Sequence, residues 1–251
     1  MTEQLRGANN KALQVIAAYQ NIKIDGVAIK APYYINRIEP IYRETMHRAG
    51  VNNRLIDKTV EIIRSGKTPI GRIGGKELPE EITQSVQRLS TYLLELGVVL
   101  SECNPHIICE YMKMFHIGVD CSGFVYNVLA GALDRIAFTN LMDNLAWTDN
   151  KRRDAARASV AVFNSPKLQT ITDMTQLQPL DLCINSNNSH IGIFIRMDQF
   201  IYLAESSFTD GGIITRKIHI STVKKTRIEG SKYWTTLFKS NDVVVRRTMD
   251  T

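Results

Sequence analysis

The sequence predicts an α+β fold, and three features carry that prediction. Apolar residues recur at helical spacing between Pro40 and Phe115; short runs rich in isoleucine, valine, phenylalanine and tyrosine alternate with turn residues from Leu180 onward; and the helical runs precede the strand-like ones. Each element has a local reason. Residues 8–22 place Leu13, Ile16, Ala17 and Tyr19 or Gln20 at helical spacing, and Gly26 is expected to end that helix. The stretch "APYYIN" reads as extended, because Pro32 disfavours the helical conformation at Ala31. Three helical runs follow, "PIYRETMHRA", "NRLIDKTVEIIRSG" and "LPEEITQSVQRLSTYLLELGVVL", with Gly50, Gly66 and the Gly71, Gly74 and Gly75 cluster as breaks. Pro79, Glu80 and Glu81 suit the N-terminus of the last run, where a missing N–H costs nothing and negative charge meets the helix dipole. Another helical stretch is expected over about 138–161.

The second half changes character. "LDLCIN", "SHIGIFIR", "QFIYLAES", "GIITRKIHI" and "DVVVRR" read as strands, and "SNNS" (186–189), "MD" (197–198) and "TDGG" (209–212) as their turns, so an antiparallel meander is the expected sheet. No internal repeat or low-complexity tract interrupts the chain.

Composition narrows the function classes. The 251 residues, 44% hydrophobic and 22% charged, suit one domain with an elaboration or two small ones. No stretch approaches the roughly 18 unbroken apolar residues of a membrane span, and the N-terminus lacks the basic, apolar, small-residue order of a secretory signal. The chain is therefore expected to be cytoplasmic as synthesised, with signal-independent export or lysis as routes to an outside target. Cys103, Cys109, Cys121 and Cys183 are too sparse for a disulfide scaffold and are expected as reduced thiols. The net charge of +6 draws on basic runs such as "KRRDAAR" and "KKTRIEGSK". With no zinc-finger, RRM or KH pattern beside them, they read as solvated faces, and no nucleic-acid partner is expected. "CNPHIIC" spaces Cys103, His106 and Cys109 at three-residue steps but lacks a second ligand pair, so neither a metal nor any other cofactor is expected.

The stretch "GVDCSGFVYNVL" (118–129) singles out Cys121. Asp120 resembles an N-cap, and Phe124, Val125, Val128 and Leu129 form a helical stripe behind it. Cys121 would then sit in a first helical turn, where unpaired N–H groups and the dipole favour a thiolate, with Ser122 and Gly123 leaving the sulfur uncrowded. Acyl transfer by a thiolate also needs an imidazole to carry the proton and a third polar group to hold the ring. His190 opens a strand-like run whose alternation puts His190, Gly192 and Phe194 on one face, with Gly192 keeping that face open. His116 is closer in sequence but is separated by the turn at Gly118. Cys183 reads as a buried strand residue, and Trp147 and Trp234 as core or cleft-wall aromatics.

"VDCSGFVYNVL", "QPLDLCIN" and "SHIGIFI", in that order, resemble the NlpC/P60 family of papain-like cysteine hydrolases, whose pattern is a DCSGF-type helix start, a P-G-D-L strand and an H-V-G-I strand. The combination is far more specific than any one piece. Leu180 stands at the glycine of the second motif, and Asp181 matches its acid in a structural turn role. The family's helix and "PYxWGG" segment do not immediately precede Asp120; "NKALQVIAAYQ" and "APYYIN" look similar but lie far upstream. The resemblance thus implies a papain-like domain interrupted by a helical insertion. Residues 1–37 supply its N-terminal helix and extended segment, 38–116 the insertion and 117–251 the catalytic core, a cysteine-bearing helix packed on an antiparallel sheet. Tyr33 would match the tyrosine bordering the site, with Ile35, Asn36 and Arg37 in place of the glycines.

By the same resemblance, Cys121 is the nucleophile, His190 the base, and the third residue lies on the next strand, commonly as His, Asn or Gln. Ungapped counting lands on Tyr202; matching "ESSFTDGGIIT" lands on Glu205, the better candidate because a carboxylate stabilises the imidazolium. Alternation forbids both from facing His190 in an unbulged strand. Tyr33, Asp120, Ser122 and Tyr202 are the candidates for the substrate side, Asp120 chiefly by fixing the helix start. The implied activity is amide hydrolysis through an acyl-enzyme, with peptidoglycan stem peptides as substrate: a bond between D-glutamate and a diamino acid, or the N-acetylmuramoyl–L-alanine link. Action on a non-wall amide or thioester, and an inactive module binding wall peptides or a protein, are the alternatives.

Overall fold

A computed structural model describes residues 1–34, 43–44, 46–47, 51–64, 75–148, 153–220 and 226–249. Among them are eight helices and eight strands, an α+β architecture as expected. The chain forms two compact units. The first comprises Met1–Ala17, Cys121–Ser206 and Ile214–Thr251, the second Ala18–Asp120 and Ser207–Ile213. No helix of the described residues is long and apolar enough to cross a membrane.

In the second unit, the end of α1 (Glu3–Gln20) leads into a hairpin of β1 (Ile22–Ile24) and β2 (Val27–Ile29). Gly26 is therefore not a helix terminator. Asp25 and Gly26 both have positive φ, 46° and 88°, the conformation a two-residue hairpin turn requires. Ile22, Ile24 and Ile29 are buried, which sets the register. The helices α2 (Asn53–Arg64), α3 (Pro79–Glu95) and α4 (Pro105–Met114) complete the unit. As the sequence suggests, Pro79 opens α3, and Glu81 accepts from the Leu78 N–H at 3.0 Å. That helix stops at Glu95, short of the expected run, because the chain turns at Gly97 with φ 81°. Pro32 and Tyr33 are extended, in bridges to Gly212 and Val119. Ile35, Asn36, Arg37, Gly50, Gly66, Gly71, Gly74, much of "PIYRETMHRA", and Lys151, Arg152, Lys224 and Lys225 of the basic runs lie outside the described residues.

The first unit holds the sheet, six antiparallel strands in the order β7-β6-β5-β4-β3-β8. The strands β3 (Leu182–Asn185), β4 (Ile191–Met197), β5 (Phe200–Ser207), β6 (Gly212–His219) and β7 (Arg227–Ile228) run as the expected meander, the last residue of β5 and the first two of β6 belonging to the second unit. β8 (Val243–Arg246) returns to pair with β3. Between β7 and β8 lies α8 (Lys232–Ser240), a helix the sequence pattern did not announce: its aromatic and β-branched residues favour strands, and the Ser231 side chain, capping the Trp234 N–H, starts it. The long helix expected over 138–161 is instead α6 (Arg135–Asn144), a 3₁₀ turn and the short α7 (Val160–Phe163). Trp147 Nε1 bonds the Met142 carbonyl near the end of α6 and folds the chain back.

Pairing of Phe194 with Leu203, and of Cys183 with Gly192 and Val245, puts these residues on one sheet face, where all but the glycine join Trp234 and Phe238 in an apolar cluster. α5 (Cys121–Ala132), apolar nearly all round, packs against β4. Leu180 has φ 72°, a left-handed conformation uncommon for leucine, with its side chain fully buried. Gly192 does not leave open space: a Cβ there would sit 2.7 Å from Leu203 Cδ1 and 3.1 Å from the Ala204 carbonyl oxygen. The glycine lets Leu203 close over the strand. Gly192→Ala should accordingly destabilise the fold by about 1–3 kcal/mol through overpacking, read as a lower denaturation midpoint at unchanged m-value.

Candidate active site

The site assembles at the start of α5 and the start of β4. Cys121 is the first residue of its helix and only 5% exposed. His190 is placed from behind by Asn185, whose side-chain oxygen accepts from the backbone N–H of His190 at 3.0 Å and of Ser189 at 2.8 Å. The Asn185 amide in turn donates to Ser189 Oγ at 2.7 Å and to the Tyr233 hydroxyl at 2.6 Å. One buried amide thus organises the turn that presents the imidazole.

His190 Nε2 lies 2.6 Å from Glu205 Oε2, and the ring also hydrogen-bonds Cys121. With Nε2 engaged by the carboxylate, Nδ1 is the nitrogen left for the sulfur. Glu205 is 2% exposed and gathers further donors: Trp234 Nε1–H reaches Oε2 at 2.9 Å, and Arg216 Nε reaches Oε1 at 3.5 Å. The His190 ring lies among aromatics, its centroid 5.4 Å from that of Trp234 and 5.9 Å from that of Tyr233. Burial by itself would lower the His190 pKa, but the hydrogen bonds and charges of Cys121 and Glu205 outweigh it and push it up to about 9. Both partners thus favour the protonated ring.

Tyr202 and Glu205 are separated as alternation requires. Tyr202 pairs with Ile195, on the face opposite Leu203 and Glu205. Its side chain therefore lies on the sheet face away from Glu205. Ser122 is buried, with its hydroxyl donated to the Ala158 carbonyl at 3.0 Å. Asp120 and Tyr33 belong to the second unit. There the Asp120 carboxylate meets Lys76 Nζ at 2.8 Å, and the Tyr33 ring sits edge-on to Phe208 at 5.9 Å. Asp181 is buried and forked by Arg247 at 3.2 and 3.1 Å, a structural anchor at the sheet end. Cys183 is fully buried, and burial pushes its thiol up.

The sequence reading missed Asn185, Arg216 and Tyr233 and left Trp234 as a generic aromatic. Period-two counting from Glu205 to Leu203 marks a face, yet nothing in the sequence says that β6 and α8 cover it. The Cys103 thiol faces the Val99 carbonyl and the Cys109 thiol the Lys30 carbonyl; among the described residues no three His, Cys, Asp or Glu side chains converge as metal ligands would. A cavity of about 280 Å³ in the first unit, bordered by Asn140, Lys167 and Arg247, includes none of Cys121, His190 or Glu205. Comparison with family models, curated proteins and solved structures finds no match to this chain.

The raised pKa of His190 gives a stability signature. Its ordinary value of 6.5 in the unfolded chain and about 9 in the fold mean that the native state holds the proton more tightly. The contribution, on the order of 3 kcal/mol, is fully present below about pH 6.5 and is lost as pH rises through about 9. Glu205→Gln should bring the His190 titration, followed by NMR of the ring, down toward its ordinary value. Unchanged titration would mean that the carboxylate does not hold the proton.

Proposed function

We propose that the protein is a cysteine hydrolase of the papain-like, NlpC/P60 type that cleaves amide bonds, with peptidoglycan stem peptides as its substrates. The observation that carries the reading is the imidazolium of His190 held between Cys121 at a helix start and the buried carboxylate of Glu205. The motifs that resemble the family supply the substrate class; the basic net charge of +6 suits an anionic wall polymer. A cysteine-bearing helix against an antiparallel sheet is the arrangement such a fold needs. The bridges from Pro32 and Tyr33 to Gly212 and Val119 support 38–116 as an insertion, because Tyr33 and Val119 bring its two flanks together.

In this reading Cys121 Sγ attacks the amide carbonyl carbon, and the Cys121 backbone N–H stabilises the oxyanion. His190 gives its proton from Nδ1 to the departing amine nitrogen as the C–N bond breaks and a thioester remains. Neutral His190 then takes a proton from water as its oxygen attacks the thioester; the acid leaves and the thiolate is regenerated. Glu205 stays ionised throughout, holding the ring in place and stabilising its charged form.

Incubation with purified muropeptides, read by mass spectrometry, tests the proposal. Fragments should appear with wild type and fall at least about 10³-fold with Cys121→Ala, whose fold remains intact. Turnover should decline as pH rises through about 9, where His190 loses the proton it must donate. Turnover retained by Cys121→Ala would remove Cys121 as nucleophile. No cleavage with a thiol that alkylates rapidly would point to a non-wall amide or thioester, and no cleavage with a sluggish thiol to a binding module.

A further inference from the structure

The catalytic reading explains Cys121, His190 and Glu205 but leaves a buried guanidinium beside the carboxylate unused. Arg216, on β6, is 9% exposed in its side chain; its Nε points to Glu205 Oε1 at 3.5 Å and its Nη1 donates to the Gly230 carbonyl at 3.1 Å. Gly230 precedes α8, which carries Trp234 and its bond to the other oxygen of Glu205. Arg216 therefore ties together the strand bearing the third residue and the turn that starts the helix covering it.

Its charge matters because the partner on the other side is not constant. A carboxylate at 2% exposure is costly without a cation beside it. His190 is a cation only while it holds its proton, and the proposed reaction takes that proton away at the moment the leaving group departs. Arg216 cannot lose its charge under these conditions. It can hold Glu205 ionised and aimed through both states of the imidazole.

We propose that Arg216 is a positioning residue of the site, the fourth member of a buried chain of alternating charge running from Cys121 through His190 and Glu205. This rests on the reading of Cys121 as nucleophile. Among the described residues, Tyr233 on α8 and Cys183 on β3 also face the cluster. Burial and the charge of Glu205 hold the proton on each, and the Cys121 charge adds to this at Tyr233, so both stay neutral near pH 7.

The test is the pH profile of Cys121 alkylation by iodoacetamide, followed by intact mass, in wild type, Arg216→Gln and Arg216→Lys. Removing a positive charge makes every proton in the cluster harder to remove, so Arg216→Gln should move the profile to higher pH by roughly half to one unit. Arg216→Lys, which loses the planar fork but keeps the charge, should bring it back toward wild type. A bracing role alone would lower the denaturation midpoint of both variants and leave the profile in place. A profile that does not move up in Arg216→Gln, or is not restored by lysine, overturns the assignment. NMR titration of His190 in a Cys121→Ser background should show the same upward shift for Arg216→Gln. Wild-type Cys121 no more reactive than an ordinary thiol would sink the nucleophile reading, and the His190 titration would then decide Arg216 separately.

Discussion

The buried carboxylate of Glu205 is the constraint on which the site depends. An ionised group at this depth persists only if its surroundings replace the water it has lost, and its two oxygens meet partners from three places in the fold: His190 ahead of β4 and Trp234 from α8 at Oε2, and Arg216 from β6 at Oε1. The demand of one side chain thus brings together the sheet, the covering helix and the turn at Asn185. Local rules are set aside around it. Trp234 and its neighbours lie in a helix despite strand-favouring composition, and Gly192 gives up its side chain so that Leu203 can seat beside the acid.

The same arrangement sets the chemistry. A histidine buried among aromatics would ordinarily prefer to be neutral, which suits a base that must take a proton from a thiol. Here hydrogen bonds to Cys121 and Glu205 reverse that preference and favour the protonated ring. In the proposed reaction such a site begins its cycle with the proton already on the group that must deliver it. A carboxylate does this more strongly than the His, Asn or Gln that stands third in the family the motifs resemble, because it contributes charge as well as a hydrogen bond.

Much of this was legible in the sequence where the signal is periodic or local. The alternation of Gly192 and Phe194 is kept in the pairing of β4 with β3 and β5, and the same period-two rule that separated Glu205 from Tyr202 puts Tyr202 on the opposite face. Pro79 and Glu81 begin α3 as their chemistry requires. The errors have equally local causes. Gly26 looked like a helix end but belongs to an Asp-Gly hairpin turn, two features that share the need for positive φ. The stretch after Phe138 kept an apolar period over a chain that turns back at Trp147.

By itself, then, the sequence determined the class of elements, their order, the cysteine at a helix start, the histidine at a strand start and the face on which a third residue had to lie. These follow from backbone periodicities of 3.6 and 2 and from end effects that reach only a few residues. Tertiary structure alone decided what stands against Glu205. Arg216 is 11 positions away along the chain, Trp234 is 29, and Asn185 meets Tyr233 across 48. Contacts over such separations depend on how strands pair and how a helix docks on them, and no local pattern encodes that.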